Sequence, residues 1–202
     1  MTMTGAALTT AAAVLLTACG GTSDGSSPED ERAAESSAAP PRIERPVIKL
    51  PSSFQLTFEA WNDADPQRQA VLNDAKEELR AGYAAIIAND PDSKAVAFYD
   101  TGSGRVQSKK WIKSYTDKNR RVVGELPVFD PKVTLLDDGI TASLAYCTDE
   151  SKARTEHRLT GKVEGNSPDM DPEVSYVVTL RKSSAGVWQN SSVRSQRGKC
   201  AE

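Results

Sequence analysis

Histidine is almost missing from these 202 residues: there is one, His157. A nucleophilic cysteine or serine would have to draw its base from that single imidazole. With three cysteines in the whole chain, no Cys/His cluster at zinc-ligand spacing is present. No Gly-rich phosphate loop, no Ser/His/Asp arrangement and no carboxylate pair of glycosidase character stands out either. These absences leave the main catalytic and metal classes without a signature, so no cofactor and no metal are expected. No internal repeat is visible, and no apolar segment reaches the length of a membrane-spanning helix. The formal net charge of −3 is unremarkable.

What is present is concentrated at the start. Residues 5–18 form an uncharged apolar stretch that closes on Leu16-Thr17-Ala18-Cys19. The core of that stretch, 9–18, is too short to cross a bilayer and has the length of a secretory h-region. The segment before it, MTMTG, carries no Lys or Arg, unlike most such leaders. Leu16-Thr17-Ala18-Cys19 resembles the lipobox of bacterial lipoproteins, in which small residues before the cysteine admit a peptidase. The resemblance implies a signal peptide over residues 1–18 and a lipidated Cys19 as the mature N-terminus. Two or three acyl chains, at roughly 0.8 kcal/mol per buried CH₂, hold a protein on a membrane stably.

Residues 19–53 then change composition to Gly, Ser, Ala, Pro and charge, with almost no branched or aromatic side chains before Ile43. Such a segment cannot bury enough apolar surface to offset its ordering entropy. It reads as a tether spanning on the order of 30 Å, stiffened by Pro40, Pro41, Pro46 and Pro51. Val47-Ile48-Lys49-Leu50 is at most a short edge strand between two prolines.

Residues 54–202 are enough for one domain with one core. Asp65-Pro66 is an N-cap followed by proline at the first helical position. Val71, Leu72, Ala75, Leu79, Tyr83, Ile86 and Ile87 then recur at helical spacing until the turn formers at 89–92. A shorter helix is expected at 108–118, with Trp111, Ile112 and Tyr115 on one face. Residues 95–99 are one helical turn or a short strand, followed by a loop at Gly102 and Gly104. Beyond Gly124 the period becomes two. Residues 128–136 and 140–147 flank Asp137-Asp138-Gly139, and 173–181 and 187–194 flank Ser184-Ala185-Gly186, so two hairpins are expected. The charged stretch 148–171 reads as a loop. Helices first and antiparallel strands after them indicate α+β.

That order resembles the NTF2-like (SnoaL-like) cone, in which N-terminal helices pack on a curved antiparallel sheet. Asp130-Pro131-Lys132-Val133, Ala145-Tyr146-Cys147-Thr148-Asp149, Thr160-Gly161-Lys162-Val163, Gly186-Val187-Trp188 and Gly198-Lys199-Cys200 are similar to segments of actinobacterial secreted lipoproteins. The resemblance implies the fold and names no reaction. It also implies a cavity, which Tyr83, Tyr99, Trp111, Tyr115, Tyr146, Tyr176 and Trp188 could line or fill, and it makes a homodimer through the open sheet face conceivable.

With Cys19 lipidated, Cys147 and Cys200 remain as an even pair in an oxidising compartment, and a disulfide is expected. His157, between Glu156 and Arg158, reads as a solvated loop histidine. Asp169, Asp171 and Glu173 alternate as oxygen ligands might, but without the glycine and distant glutamate of a calcium loop. Lys109, Lys110, Lys113, Lys118, Arg120 and Arg121 form a basic stretch able to meet anionic lipid or wall polymer, or else an ordinary solvated face; outside the membrane, nucleic acid is not expected. The resulting expectation is a membrane-anchored extracytoplasmic lipoprotein. Its domain acts as a non-catalytic binding or scaffolding module, with an envelope protein among its candidate partners, and the alternative is a small-ligand binder or enzyme using the cone pocket.

Overall fold

The computed structural model describes residues 43–200. The expected signal peptide, Cys19 and the tether up to residue 42 lie outside the described residues. A strand β1 (Phe54–Phe58) precedes three helices, α1 (Pro66–Ala88), α2 (Lys94–Tyr99) and α3 (Gly102–Thr116). Six strands follow: β2 (Arg120–Leu135), β3 (Thr141–Asp149), β4 (Ala153–His157), β5 (Val163–Glu164), β6 (Glu173–Lys182) and β7 (Trp188–Arg197). They form one sheet in the order β5-β4-β2-β3-β6-β7, with β1 parallel to β2 and the remaining strand pairs antiparallel. The sheet curls around the helices, so that α1 and α3 each touch both β2 and β7.

The longest helix forms for the reasons its sequence supplies. Asp65 accepts hydrogen bonds from the amides of Gln67 and Arg68, and Pro66 occupies the first turn. Asn89, in the left-handed region at φ 59°, ends the helix and returns its amide to the last carbonyls; Asn tolerates that conformation better than most residues. Val71, Leu72, Ala75 and Ile86 are buried against the sheet. At roughly 1.5–3 kcal/mol for each large apolar side chain buried, this stripe is what keeps α1 in the concave face.

Several elements differ from expectation. The segment 95–99 is helical, and α3 begins six residues before its expected start, at the Gly102 expected in a loop. Gly104 is there because α3 comes down onto β7: a Cβ at that position would lie 2.3 Å from the Asn190 carbonyl oxygen. β2 starts at Arg120, and the expected loop 148–171 contains β4 and β5. All five residues of β4 are half-buried, so it shows none of the alternation that would reveal a strand. The Asp137-Asp138-Gly139 hairpin forms, with Asp138 accepting from the amides of Ile140 and Thr141.

Residues 43–53, expected as the end of the tether, lie against the domain. Ile43, Ile48 and Leu50 pack on the core, Arg45 pairs with the buried Asp74, and the Arg80 guanidinium donates to the Ile48 carbonyl at 3.1 Å. Residues 47–50 form no strand; side chains hold this extended segment in place of a hydrogen-bond ladder.

Cys147 and Cys200 form the expected disulfide, with Cα atoms 5.8 Å apart. It ties the tail beyond β7 back to β3, across β6. Closing a loop with a sequence separation of 53 contributes about 4 kcal/mol in the chain-entropy model. The Cys147→Ser/Cys200→Ser chain is therefore expected to unfold at lower urea concentration, with about 2–4 kcal/mol less stability. Equal midpoints for the two proteins would show that the bridge contributes nothing.

Candidate ligand cavity

Between α1, α3 and strands β3, β6 and β7 lies a partly open cavity of about 220 Å³. Two aromatic pairs form facing walls. On the helical side Tyr83 and Trp111 meet edge to face, centroids 5.1 Å apart. On the sheet side Tyr146 and Tyr176 are stacked at 5.0 Å with 10° between their planes. Gly82 makes the helical wall possible: a Cβ there would come 2.6 Å from the Trp111 ring, so only glycine lets the indole lie flat on α1. Toward solvent, Gln107 of α3 accepts a hydrogen bond from the Val193 amide at 3.0 Å and joins helix to sheet beside the cavity.

The polar end of the cavity is acidic. Glu78 of α1 lines it, and Asn190 of β7 donates from Nδ2 to Glu78 Oε1 at 3.2 Å. Behind Glu78 stands Asp100, in the corner between α2 and α3, with no solvent exposure. Ser108, Glu78 and Asn190 surround Asp100, yet neither of its carboxylate oxygens makes a hydrogen bond of ordinary geometry. Burial pushes the Asp100 carboxyl up to about 6. Glu78 is driven well above the usual carboxylate range, first by burial and then by the charge of Asp100, while Asn190 opposes the rise. The contact between the two acids favours Asp100 as the ionised member and Glu78 as the protonated one.

The other fully buried acid differs. Asp74, 2% exposed, pairs with Arg45 and accepts the Trp188 amide at 2.8 Å. A buried carboxylate is tolerable when paired and hydrogen-bonded and costly when not. Among the described residues Glu78 and Asp100 have no ion-pair partner.

Four of the seven aromatics singled out in the sequence line the cavity. Tyr115 faces a neighbouring recess of about 80 Å³ that shares Tyr83 with it, and Tyr99 and Trp188 are core residues. His157 ends β4, its Nδ1 3.2 Å from the Thr160 hydroxyl, and is not part of the cavity lining. Asp171 caps the Glu173 amide at 2.9 Å in a surface turn. The basic stretch divides between two places. Lys109 pairs with Asp92 and Lys113 with Asp117 on α3, whereas Arg120 and Arg121, on β2, pair with Glu164 and Glu156. Lys110 and Lys118 stay exposed on the α3 side near Val106, itself 68% exposed.

Sequence reasoning passed over Glu78, Asp100, Ser108 and Asn190. A signal for the first was there: Val71, Ala75, Glu78 and Gly82 follow one another at helical spacing, so an acid stands on the buried stripe.

No family model and no curated protein matches the sequence. Among solved structures the chain is similar to the intermembrane space region of the chloroplast protein ARC6, at 12% identity and TM-score 0.45 over 67% of this chain and all of that one. It is also similar to a ketosteroid isomerase-like protein from Erwinia carotovora atroseptica, at 17% identity and TM-score 0.43 over 64% of this chain and 95% of that one. A third is a protein from Catenulispora acidiphila in complex with S-DNPA, at 10% identity and TM-score 0.44 over 63% and 93%. Likeness at this level carries no chemistry to the present chain. The architecture is the expected α+β one, with helices packed in the concave face of a curved, mostly antiparallel sheet, as its own strand order shows.

The acid pair makes stability depend on pH with a definite sign. Asp100 titrates near 6 when folded, above its ordinary 3.8, so the folded state binds more protons than the unfolded state between those values. Its contribution is full at low pH and is lost as pH rises through about 6. A displacement of that size is worth on the order of 3 kcal/mol. Asp100→Asn is accordingly expected to raise the Tm at pH 7.5, with the gain shrinking toward pH 4. A variant no more stable than wild type at pH 7.5 would contradict the assignment.

Proposed function

We propose that this protein is a lipid-anchored, extracytoplasmic binding protein whose cone takes up a small ligand. The observation that carries the binding half is the cavity itself: aromatic walls converge on one half-buried carboxyl, Glu78, that has no cation in the fold to compensate it. A scaffold module would fill such a space with its own side chains. The volume, about 220 Å³, falls below the roughly 300–1,000 Å³ of drug-sized sites, so the ligand is a small metabolite rather than a peptide or a polymer. The reading is binding rather than turnover because Asp100, the one neighbour able to exchange a proton with Glu78, stands behind it and away from the ligand space.

The anchoring half rests on the Leu16-Thr17-Ala18-Cys19 sequence and the uncharged apolar stretch before it. The tether then lets the domain stand off the membrane. Lys110 and Lys118, beside the exposed Val106 on α3, support intermittent contact with anionic headgroups at about 1 kcal/mol per charge.

Two experiments test the two halves separately. Cys19→Ser is expected to move the full chain from the membrane to the soluble extracytoplasmic fraction; retention on the membrane would refute the anchor. For the cavity, a small-molecule library is screened by ligand-observed NMR against the Cys19→Ser chain and against the same chain carrying Val178→Phe. Val178 is 4% exposed and lines the cavity, so phenylalanine there occupies the ligand's space. Hits are expected to vanish in the filled variant while its Tm stays within a few degrees. Hits that persist unchanged would place binding elsewhere and defeat the reading.

A further inference from the structure

The polar end of the cavity is built like the receiving half of an ion pair. Among the residues lining it, Glu78 alone is charged in any ordinary state, and no lysine, arginine or histidine is among them. Asp100 reinforces it from behind, with no exposure and with both oxygens short of hydrogen bonds. Arg105 acts on Asp100, but this exposed side chain commits its Nη2 to the backbone carbonyls of Ala97 and Asp100. Elsewhere the same fold compensates a buried acid: Asp74, one helical turn before Glu78, is given Arg45. The chain thus pairs one buried carboxylate with a guanidinium and leaves the two next to the cavity without one.

The rest of the lining is what a cation of low hydration prefers. Tyr83, Trp111, Tyr146 and Tyr176 present rings to the space, and ring faces attract ammonium groups, most strongly when water is excluded. Such a contact contributes little to an anion. It contributes equally little to a metal ion, which needs several oxygen ligands in place of its hydration shell. Groups of three or more metal-ligating side chains are absent among the described residues.

Resting on the small-ligand reading, we infer that the cavity binds an organic ammonium, the charged head of a small amine or quaternary ammonium compound, with Glu78 as its counter-ion inside an aromatic box of Tyr83, Trp111, Tyr146 and Tyr176. The ligand supplies the positive charge that the fold withholds, and Glu78, the protonated member of the pair in the empty cavity, releases its proton to solvent as the ammonium binds. Asp100 is a positioning residue that keeps the local potential negative, and Asn190 fixes the Glu78 carboxyl through its Nδ2.

Three probes of one shape test this on the Cys19→Ser chain: phenyltrimethylammonium, its uncharged carbon isostere tert-butylbenzene, and benzoate. Binding is followed by ligand-observed NMR with competition at pH 7.5. The cation is expected to bind at least tenfold more tightly than the isostere, a difference of about 1.4 kcal/mol, with benzoate weakest. Glu78→Gln should erase the preference for charge, Glu78→Asp should retain part of it, and Tyr176→Leu should weaken the cation more than the isostere. Isostere or benzoate binding as tightly as the cation, lost in Val178→Phe, would overturn the ammonium assignment and leave the cavity reading standing. Binding of none of the three overturns it equally, and the library screen then decides the cavity on its own. A cation preference that survives in both Glu78→Gln and Val178→Phe would show that the charge is read outside the cavity.

Discussion

Asn190 is the residue on which the site turns. Its backbone carbonyl accepts the Thr101 amide at 2.8 Å, and Gly104 lets the first turn of α3 come down against that same carbonyl. Its side chain reaches α1 and donates to Glu78. The corner between α2 and α3, the strand β7 and the helix α1 therefore meet at one asparagine, 2% exposed. A bulge sets its direction. Opposite β6, Thr179 pairs with Ser192 but Leu180 pairs with Asn190, so Ser191 is the extra residue. An extra residue shifts the alternation of side chains by one. Trp188 and Asn190 face inward before the bulge, and Val193 and Ser195 line the cavity after it.

The acid pair works against stability and gains its meaning from that cost. Desolvating a carboxylate with no partner is among the more expensive things a fold can do, and most proteins avoid it or neutralise the group. Here the walls that desolvate Glu78 are the aromatics that would receive a ligand, and the acid behind it raises the cost further. A bound ammonium would relieve both. Strain of this kind concentrates at functional sites, because selection for stability alone would remove it. The tyrosine hydroxyls around the space are held neutral by burial as well, Tyr176 being pushed up to about 12, so they act as hydrogen-bonding groups and ring faces and not as charges.

Much of the scaffold was legible in the sequence because its signals are local. Asp65-Pro66 and the 3.6-residue stripe describe α1, Asp137-Asp138-Gly139 describes a hairpin, and cysteine parity gives the bridge. The misses arise where the deciding contact is distant in the chain. β4 shows no alternation because all five of its residues are half-buried. The Gly102/Gly104 segment looks like a loop until Asn190 is known to press against it. Residues 43–53 look like linker because they are proline-rich and polar, yet Arg45 reaches an acid 29 positions away and three apolar side chains suffice to seat the segment. The site itself was half visible. Its aromatics could be named, whereas the polar groups that give them a purpose, Glu78, Asp100 and Asn190, converge only in three dimensions, from α1, the α2–α3 corner and β7. Glu78, at helical spacing between Ala75 and Gly82, was the one clue available in one dimension.

The central claim is that Glu78 and Asp100 form an uncompensated acid pair whose missing partner is a cation. Carboxyl-detected ¹³C NMR, with Glu78 and Asp100 assigned through their Gln and Asn variants, measures this directly. The account predicts that Asp100 titrates near 6 and Glu78 well above the ordinary range, and that saturating phenyltrimethylammonium moves the Glu78 transition downward. Two ordinary carboxyls titrating near 4, indifferent to the cation, would contradict it.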